Sequence, residues 1–168
     1  MEHTDPAILS DQLSGRPEEF NWLIPVPRGG IGIILDSRLS EGDYIGDILS
    51  MSPGHRLFWR ADSAMWAPVG PDERLASLSS APENYVFELI NTGAPRWQIA
   101  SFQFYWHFSL LIIEPSGLRE IGNLFPLQPA SVFPTWFREE FGSNLRDTEF
   151  VDRLGQLYSH FATTPFTG

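Results

Sequence analysis

Apolar and polar positions alternate along residues 98–113, the most apolar stretch of the chain. The even-numbered positions from 100 to 112 are all apolar, whereas the odd-numbered positions are polar in the middle, where Gln103 and His107 lie. A period of two is that of a β-strand, and a helix would bury those two polar side chains among aromatic rings. The pattern predicts one long strand, bent or bulged near its middle, with an apolar face turned inward and a polar face left open. A bilayer span needs about 20 consecutive apolar residues, so this run is too short and too polar to cross a membrane.

Shorter alternating runs on both sides of this segment predict further strands. Residues 85–90 alternate in the same way, and the turn residues at 91–95 would join them to the long strand as a hairpin. After a turn at 114–117, residues 118–124 would return as another strand. The other predicted strands are residues 31–35, 56–61 and 64–69.

Helices are predicted towards both ends of the chain. Asp5 has the position of a helix cap before Pro6, and the helix would end at Gly15. Near the C-terminus, apolar residues recur at helical spacing between residues 148 and 160. Shorter helices are predicted at residues 17–24, 71–78 and 135–141.

Together these elements predict an α+β fold. We expect a single domain over residues 1–162, built on an antiparallel meander sheet with the N-terminal and C-terminal helices packed on one face. Residues 163–168 would form a flexible tail.

The amino-acid composition excludes several kinds of chemistry. The 168 residues include no cysteine, which excludes disulfides, zinc-thiolate sites and a thiol nucleophile. The N-terminus is acidic where a secretory signal needs a basic start, so the predicted location is the cytoplasm.

The charge balance indicates the kind of partner. There are 21 acidic against 11 basic side chains, a net charge of −10, which would repel the phosphates of nucleic acids and favour a basic protein partner. Every basic residue is arginine. Coding bias and selection against lysine-directed modification both explain that pattern.

The strongest acidic cluster in the sequence follows the predicted strand at 31–35. Its spacing does not fit a calcium-binding EF-hand, because Arg38 and Glu41 stand where a ligand and a glycine are needed. The choice is between a solvated loop and an electrostatic contact for a basic protein. The glycine-rich stretch 28–35 lacks both nucleotide-binding signatures. The candidate acidic contact residues are Asp36, Glu41, Asp43 and Asp47.

The polar face of the predicted long strand is the second candidate contact. Its residues would combine aromatic area with hydrogen-bonding groups, as protein interfaces and ligand pockets do. Glu88 on the neighbouring strand could assist His107 as an acid or base. The candidate residues on this face are Trp97, Ser101, Gln103, Tyr105 and His107.

Two functions remain open from the sequence. The first is a small acidic protein-binding module of the inhibitor, immunity-protein or chaperone type, a monomer or small homo-oligomer bound to a basic partner. The alternative is a small-ligand-binding protein or enzyme with a pocket over the polar face of residues 98–113. A structural component with an exposed aromatic patch ranks below both. The sequence predicts no catalytic residue, metal ligand or cofactor.

Overall fold

The computed structural model describes residues 5–15, 25–36, 48, 56–62, 64–69, 86–102, 108–124, 126–129, 131 and 152–162. Helix α1 spans Pro6–Leu13, α2 spans Leu118–Leu124 after a 3-10 turn at Pro115–Gly117, and α3 comprises residues 152–157. The strands are β1 (Ser14–Gly15), β2 (Val26–Pro27), β3 (Ile31–Asp36), β4 (Leu57–Ala61), β5 (Ala67–Pro68), β6 (Val86–Asn91), β7 (Trp97–Phe102), β8 (Phe108–Ile113), β9 (Leu127–Pro129) and β10 (His160–Ala162). The protein is thus mostly sheet with a few short helices.

One mixed sheet of eight strands organises the described chain, in the order β5-β4-β6-β7-β8-β3-β10-β9, and β1 and β2 form a separate small sheet. All neighbours in the large sheet are antiparallel except β3 and β10, which are parallel. The predicted meander therefore holds only for β6, β7 and β8. Strands β3 and β10 join it from distant parts of the chain.

Several local predictions are confirmed. Strands β3, β4 and β6 form where the alternating patterns place them, and β6 and β7 pair as the predicted hairpin. The buried Asn91 closes that hairpin, since its Oδ1 accepts from the backbone N–H of Gly93 at 3.1 Å and its Nδ2 donates to the carbonyl of Pro95 at 3.1 Å. Helix α1 begins as predicted, because the Asp5 carboxylate accepts from the backbone N–H of Ala7 at 2.8 Å.

The prediction of one long strand over residues 98–113 is wrong. Strands β7 and β8 lie antiparallel side by side, with Ser101 opposite Ser109. Each pair in this register joins two even-numbered or two odd-numbered residues, as in Ala100 with Leu110. The alternation therefore continues in phase from one strand into the next, and its period alone cannot distinguish a hairpin from a single strand.

Residues 118–124 form helix α2, so the prediction of a strand there is also wrong. Leu118, Ile121 and Leu124 recur at helical spacing and contribute to one core cluster. The turn predicted at 114–117 is present as the 3-10 turn at Pro115–Gly117, but it leads into a helix and not a strand. At the C-terminus the predicted helix is too long, because the described helix ends at residue 157 and residue 160 begins β10.

Both faces of the sheet are packed. One core cluster lies under α1 and α3, to which Leu9, Leu13 and Leu154 contribute, so these N-terminal and C-terminal helices share a face. The other cluster lies under α2 and includes Ile48 and Ile121. The predicted helices at 17–24, 71–78 and 135–141 and the tail at 163–168 lie outside the described residues.

Candidate functional site

One end of the large sheet gathers the chain segments that carry the sequence candidates. In the register of the sheet, Asp36 at the end of β3 lies opposite Phe108 at the start of β8, and Phe102 at the end of β7 lies opposite Val86. Ala61 of β4 and Ala162 of β10 finish at the same end. We call this set of six residues the loop end of the sheet. From it the chain continues into residues 37–47, 103–107 and 163–168, and residues 70–85 rejoin the sheet at Val86.

The loop end brings together one described residue from each of the two predicted contact regions. Asp36 and Ser101 are separated by the single strand β8, which corresponds to about 10 Å between strand axes. Ser101 is half-buried, and its hydroxyl lies 3.2 Å from that of Ser109. Six other candidates lie outside the described residues: Glu41, Asp43, Asp47, Gln103, Tyr105 and His107.

Trp97 does not belong to this surface. It lies at the opposite end of the sheet, between Asn91 and Ile113, and its side chain is 0% exposed. The expectation that Trp97 stands on an open face is therefore wrong. Its indole N–H is buried without a hydrogen-bond partner among the described residues, as is that of Trp66.

The face expected to stay open is packed wherever it is described. Ile99, Leu111 and Ile113 of this face are at most 1% exposed and belong to the cluster beneath α2. A pocket over this face would have to be formed near residues 103–107, outside the described chain. The small-ligand alternative therefore rests on those residues alone.

Glu88 lies on the opposite face of the sheet from Ser101. It pairs in register with Ala100, and its neighbours Val86 and Ile90 on that face belong to the cluster beneath α1. His107, which Glu88 was expected to assist, lies outside the described residues. Glu88 is 1% exposed, so its negative charge needs a partner within the core.

A buried polar chain supplies that partner and was missed from the sequence. The Arg60 guanidinium donates through Nε to Oε2 of Glu88, and Gln98 donates through Nε2 to Oε1 of Glu88 at 2.9 Å. Gln98 in turn accepts from the hydroxyls of Ser10 and Ser14 at 3.1 and 3.2 Å. We call these five residues the polar chain. It runs from β4 across the sheet to α1.

A sequence signal for the polar chain did exist. Glu88 and Gln98 occupy the same set of alternate positions as the apolar residues of their strands. A charged and an amide side chain on the inner face of a hairpin must find each other or another partner. The seryl partners on α1 are distant in sequence, and only tertiary packing brings them there.

Arg60 is also held from its other side. Its guanidinium lies over the ring of Trp66 at 4.3 Å from the centroid, a cation–π geometry. The Arg60 side chain is 14% exposed, so both its ion pair with Glu88 and this contact are largely screened from water. Trp66 precedes the edge strand β5, and the pair fixes the β4–β5 hairpin to the sheet.

A second ion pair lies at the end opposite to the loop end. Arg96 donates through Nε to Oε2 of Glu114 at 2.7 Å. Partial burial acts to raise the pKa of Glu114, but hydrogen bonds from the Arg96 backbone and side chain, its charge, and Ser116 outweigh burial and lower the pKa. The pair fastens the start of β7 to the end of β8.

Charge is distributed unevenly along the chain. Residues 1–47 carry nine acids against three arginines, a net of −6 from the total of −10. Several of the described acids have structural partners: Asp5 caps α1, Asp62 accepts from the Val86 backbone, and Glu88 and Glu114 form ion pairs.

Within the described part of the chain, no three histidine or carboxylate side chains are arranged to hold a metal ion. The helices described there are all too short or too polar to span a bilayer. Comparison of the chain with protein-family models, with curated proteins and with solved structures finds no match.

Proposed function

We propose that this protein is an acidic protein-binding module whose loop end receives a basic protein partner. The observation that carries the proposal is the acidic excess of two segments that join the sheet at its loop end. Residues 37–47, which continue from Asp36, carry three acids against one arginine. Residues 70–85, which rejoin the sheet at Val86, have the same balance.

Such a surface would act chiefly on the rate and selectivity of association. Acidic side chains near one another attract a basic surface over roughly one Debye length, about 8 Å at physiological ionic strength, and repel acidic competitors. The acidic excess is also the reason we propose a protein and not a nucleic acid as partner.

A basic partner, a cytoplasmic location and a role as inhibitor, immunity protein or chaperone are the finer parts of this proposal. All three types neutralise or hold another protein through surface contacts, without chemistry of their own. Affinity purification from the native source should recover one stoichiometric basic partner. Recovery of no partner would contradict the proposal.

The decisive test is the substitution Asp43→Arg, assayed by association kinetics with the recovered partner. We expect the association rate constant to fall about tenfold at low salt, with a smaller difference at high salt, because the change reverses a charge in the acidic segment after Asp36. Asp11→Arg, at an exposed position on α1, alters net charge by the same amount and is the matched control. An equal loss in both variants would assign the effect to net charge and would refute a contact at the loop end.

A further inference from the structure

The polar chain has a fixed direction, set by the charge of Glu88. An ionised carboxylate only accepts hydrogen bonds, so the amide of Gln98 must present Nε2 to Glu88 and its oxygen to the other side. That other side is α1, where the hydroxyls of Ser10 and Ser14 reach Gln98 Oε1. Ser14 Oγ also lies 2.8 Å from the carbonyl oxygen of Ser10, so its single hydrogen serves one acceptor at a time.

Helix α1 is held by several kinds of contact. Its buried apolar side chains are Leu9 and Leu13, and the Leu13 carbonyl accepts from the backbone N–H groups of Arg28 and Gly30 at 2.9 and 3.2 Å. Apolar contacts are not directional, and a helix of eight residues has marginal stability by itself. The hydroxyl contacts of Ser10 and Ser14 with Gln98 are directional and join this helix to β7.

We propose that the polar chain couples the docking of α1 to the Arg60–Glu88 ion pair in β4 and β6. Arg60 fixes the Glu88 carboxylate through Oε2, the fixed carboxylate orients the Gln98 amide through Oε1, and the oriented amide oxygen holds α1. Arg60 on β4 and Gln98 on β7 are two strands apart, about 10 Å between strand axes. The proposal concerns the sheet interior and does not depend on the function proposed for the loop end.

The coupling has a definite sign. Without Arg60, the Glu88 carboxylate loses the donor that fixes Oε2 and can turn, so that Oε1 no longer holds Nε2 of Gln98 in one orientation. The hydroxyls of Ser10 and Ser14 would then no longer donate to a Gln98 oxygen that is held in one place. Removing them should consequently cost less stability when Arg60 is absent than when it is present.

A double-mutant cycle between Arg60 and the two serines, Ser10 and Ser14, tests the proposed coupling. The two changes are Arg60→Met and the pair Ser10→Ala with Ser14→Ala, and the unfolding equilibrium constant is measured by urea denaturation. We expect non-additivity of about fivefold or more, in the direction given above. The control cycle replaces Arg60→Met with Arg96→Met, which removes an ion pair outside the polar chain and should be additive within about twofold. Additivity in both cycles would overturn the proposal.

Hydrogen exchange provides a second readout if Arg60→Met is too unstable for the cycle. Glu88→Gln removes the charge with little change of shape, and the amide of Leu9, which bonds to the carbonyl of Asp5 at 3.0 Å, reports opening of α1. We expect protection of Leu9 to fall at least fivefold more than protection of Ile99 in β7. Equal losses at both amides would mean general destabilisation and would refute specific coupling to α1.

Discussion

At the scale of single residues, the described structure depends on hydrogen bonds between buried polar groups. Glu88, Asn91 and Gln98 are each at most 1% exposed, and each has hydrogen-bond partners in the described chain. A buried polar group without a partner costs about 1–3 kcal/mol, so these contacts restrict which packing arrangements are possible. The same reasoning gives the solvent-facing pair of Arg96 and Glu114 a smaller effect, one that depends on pH.

We expect Arg96→Met to lower the free energy of unfolding by about 0.5 kcal/mol at pH 7, because the Arg96 side chain is 40% exposed and solvent screens the pair. The pKa of Glu114 is lowered in the folded protein from its ordinary value of 4.5. The stabilisation of the folded protein by ionised Glu114 is therefore present at pH values above 4.5 and is lost as the pH falls through the lowered pKa. Urea denaturation of wild type and variant should converge in acid. Arg119→Met, at an exposed position on α2, is the control. A difference that persists unchanged below the lowered pKa would contradict this assignment.

At the scale of elements, signals at the ends of elements were confirmed at two places. The cap formed by Asp5 and Pro6 places the start of α1, and Asn91 closes the β6–β7 hairpin. Periodicity merged β7 with β8, and the turn signal at 114–117 wrongly predicted a strand at residues 118–124. The caps act locally, through bonds within a few residues, whereas the period of two is shared by strands in several arrangements.

Loss of the α1 cap should be measurable on its own. Asp5→Ala removes the carboxylate that accepts from the Ala7 backbone and should cost about 1 kcal/mol of unfolding free energy, measured by urea denaturation. Asp11→Ala changes the same residue type at an exposed position inside the helix and should cost less than about 0.5 kcal/mol. Equal effects of the two substitutions would argue against the cap.

At the scale of the whole molecule, the sheet is buried on both faces, by α1 and α3 on one side and by α2 on the other. Leu9 and Ile121 represent the two layers and are 1% and 0% exposed. The two clusters share the strands of a single sheet. We therefore expect them to unfold as one cooperative unit.

Leu9→Ala and Ile121→Ala should each lower the free energy of unfolding by about 2–5 kcal/mol, since each leaves a cavity in a packed layer. Ile8→Ala, beside Leu9 on α1, is the control, because Ile8 is 56% exposed and its truncation should cost far less. Thermal or urea unfolding followed by two spectroscopic probes provides the measurement. Separate transitions for the two buried-site variants would show that the layers are independent.

The sequence by itself determined what local chemistry determines: the cap of α1, the positions of β3, β4 and β6, the acidic excess and the absence of cysteine chemistry. It placed Asp36 and Ser101 among the candidates for a contact, but it could not place them near each other. That proximity comes from β3 pairing with β8, whose partners are more than 70 residues apart in the chain. No local pattern encodes such a pairing.

Only the tertiary structure decided which side of each strand is covered and by what. Trp97 lies in the core because the sheet acquires a second layer, α2, from a segment that was expected to be a strand. Glu88 faces away from Ser101 because of the register between β6 and β7. The parallel insertion of β10 beside β3 and the contact of α1 with Gln98 have the same origin. The alternation of residues along a strand determines which side chains share a face. Whether that face is buried depends on which distant segments pack against it, and their packing is determined by the free energy of the whole folded chain.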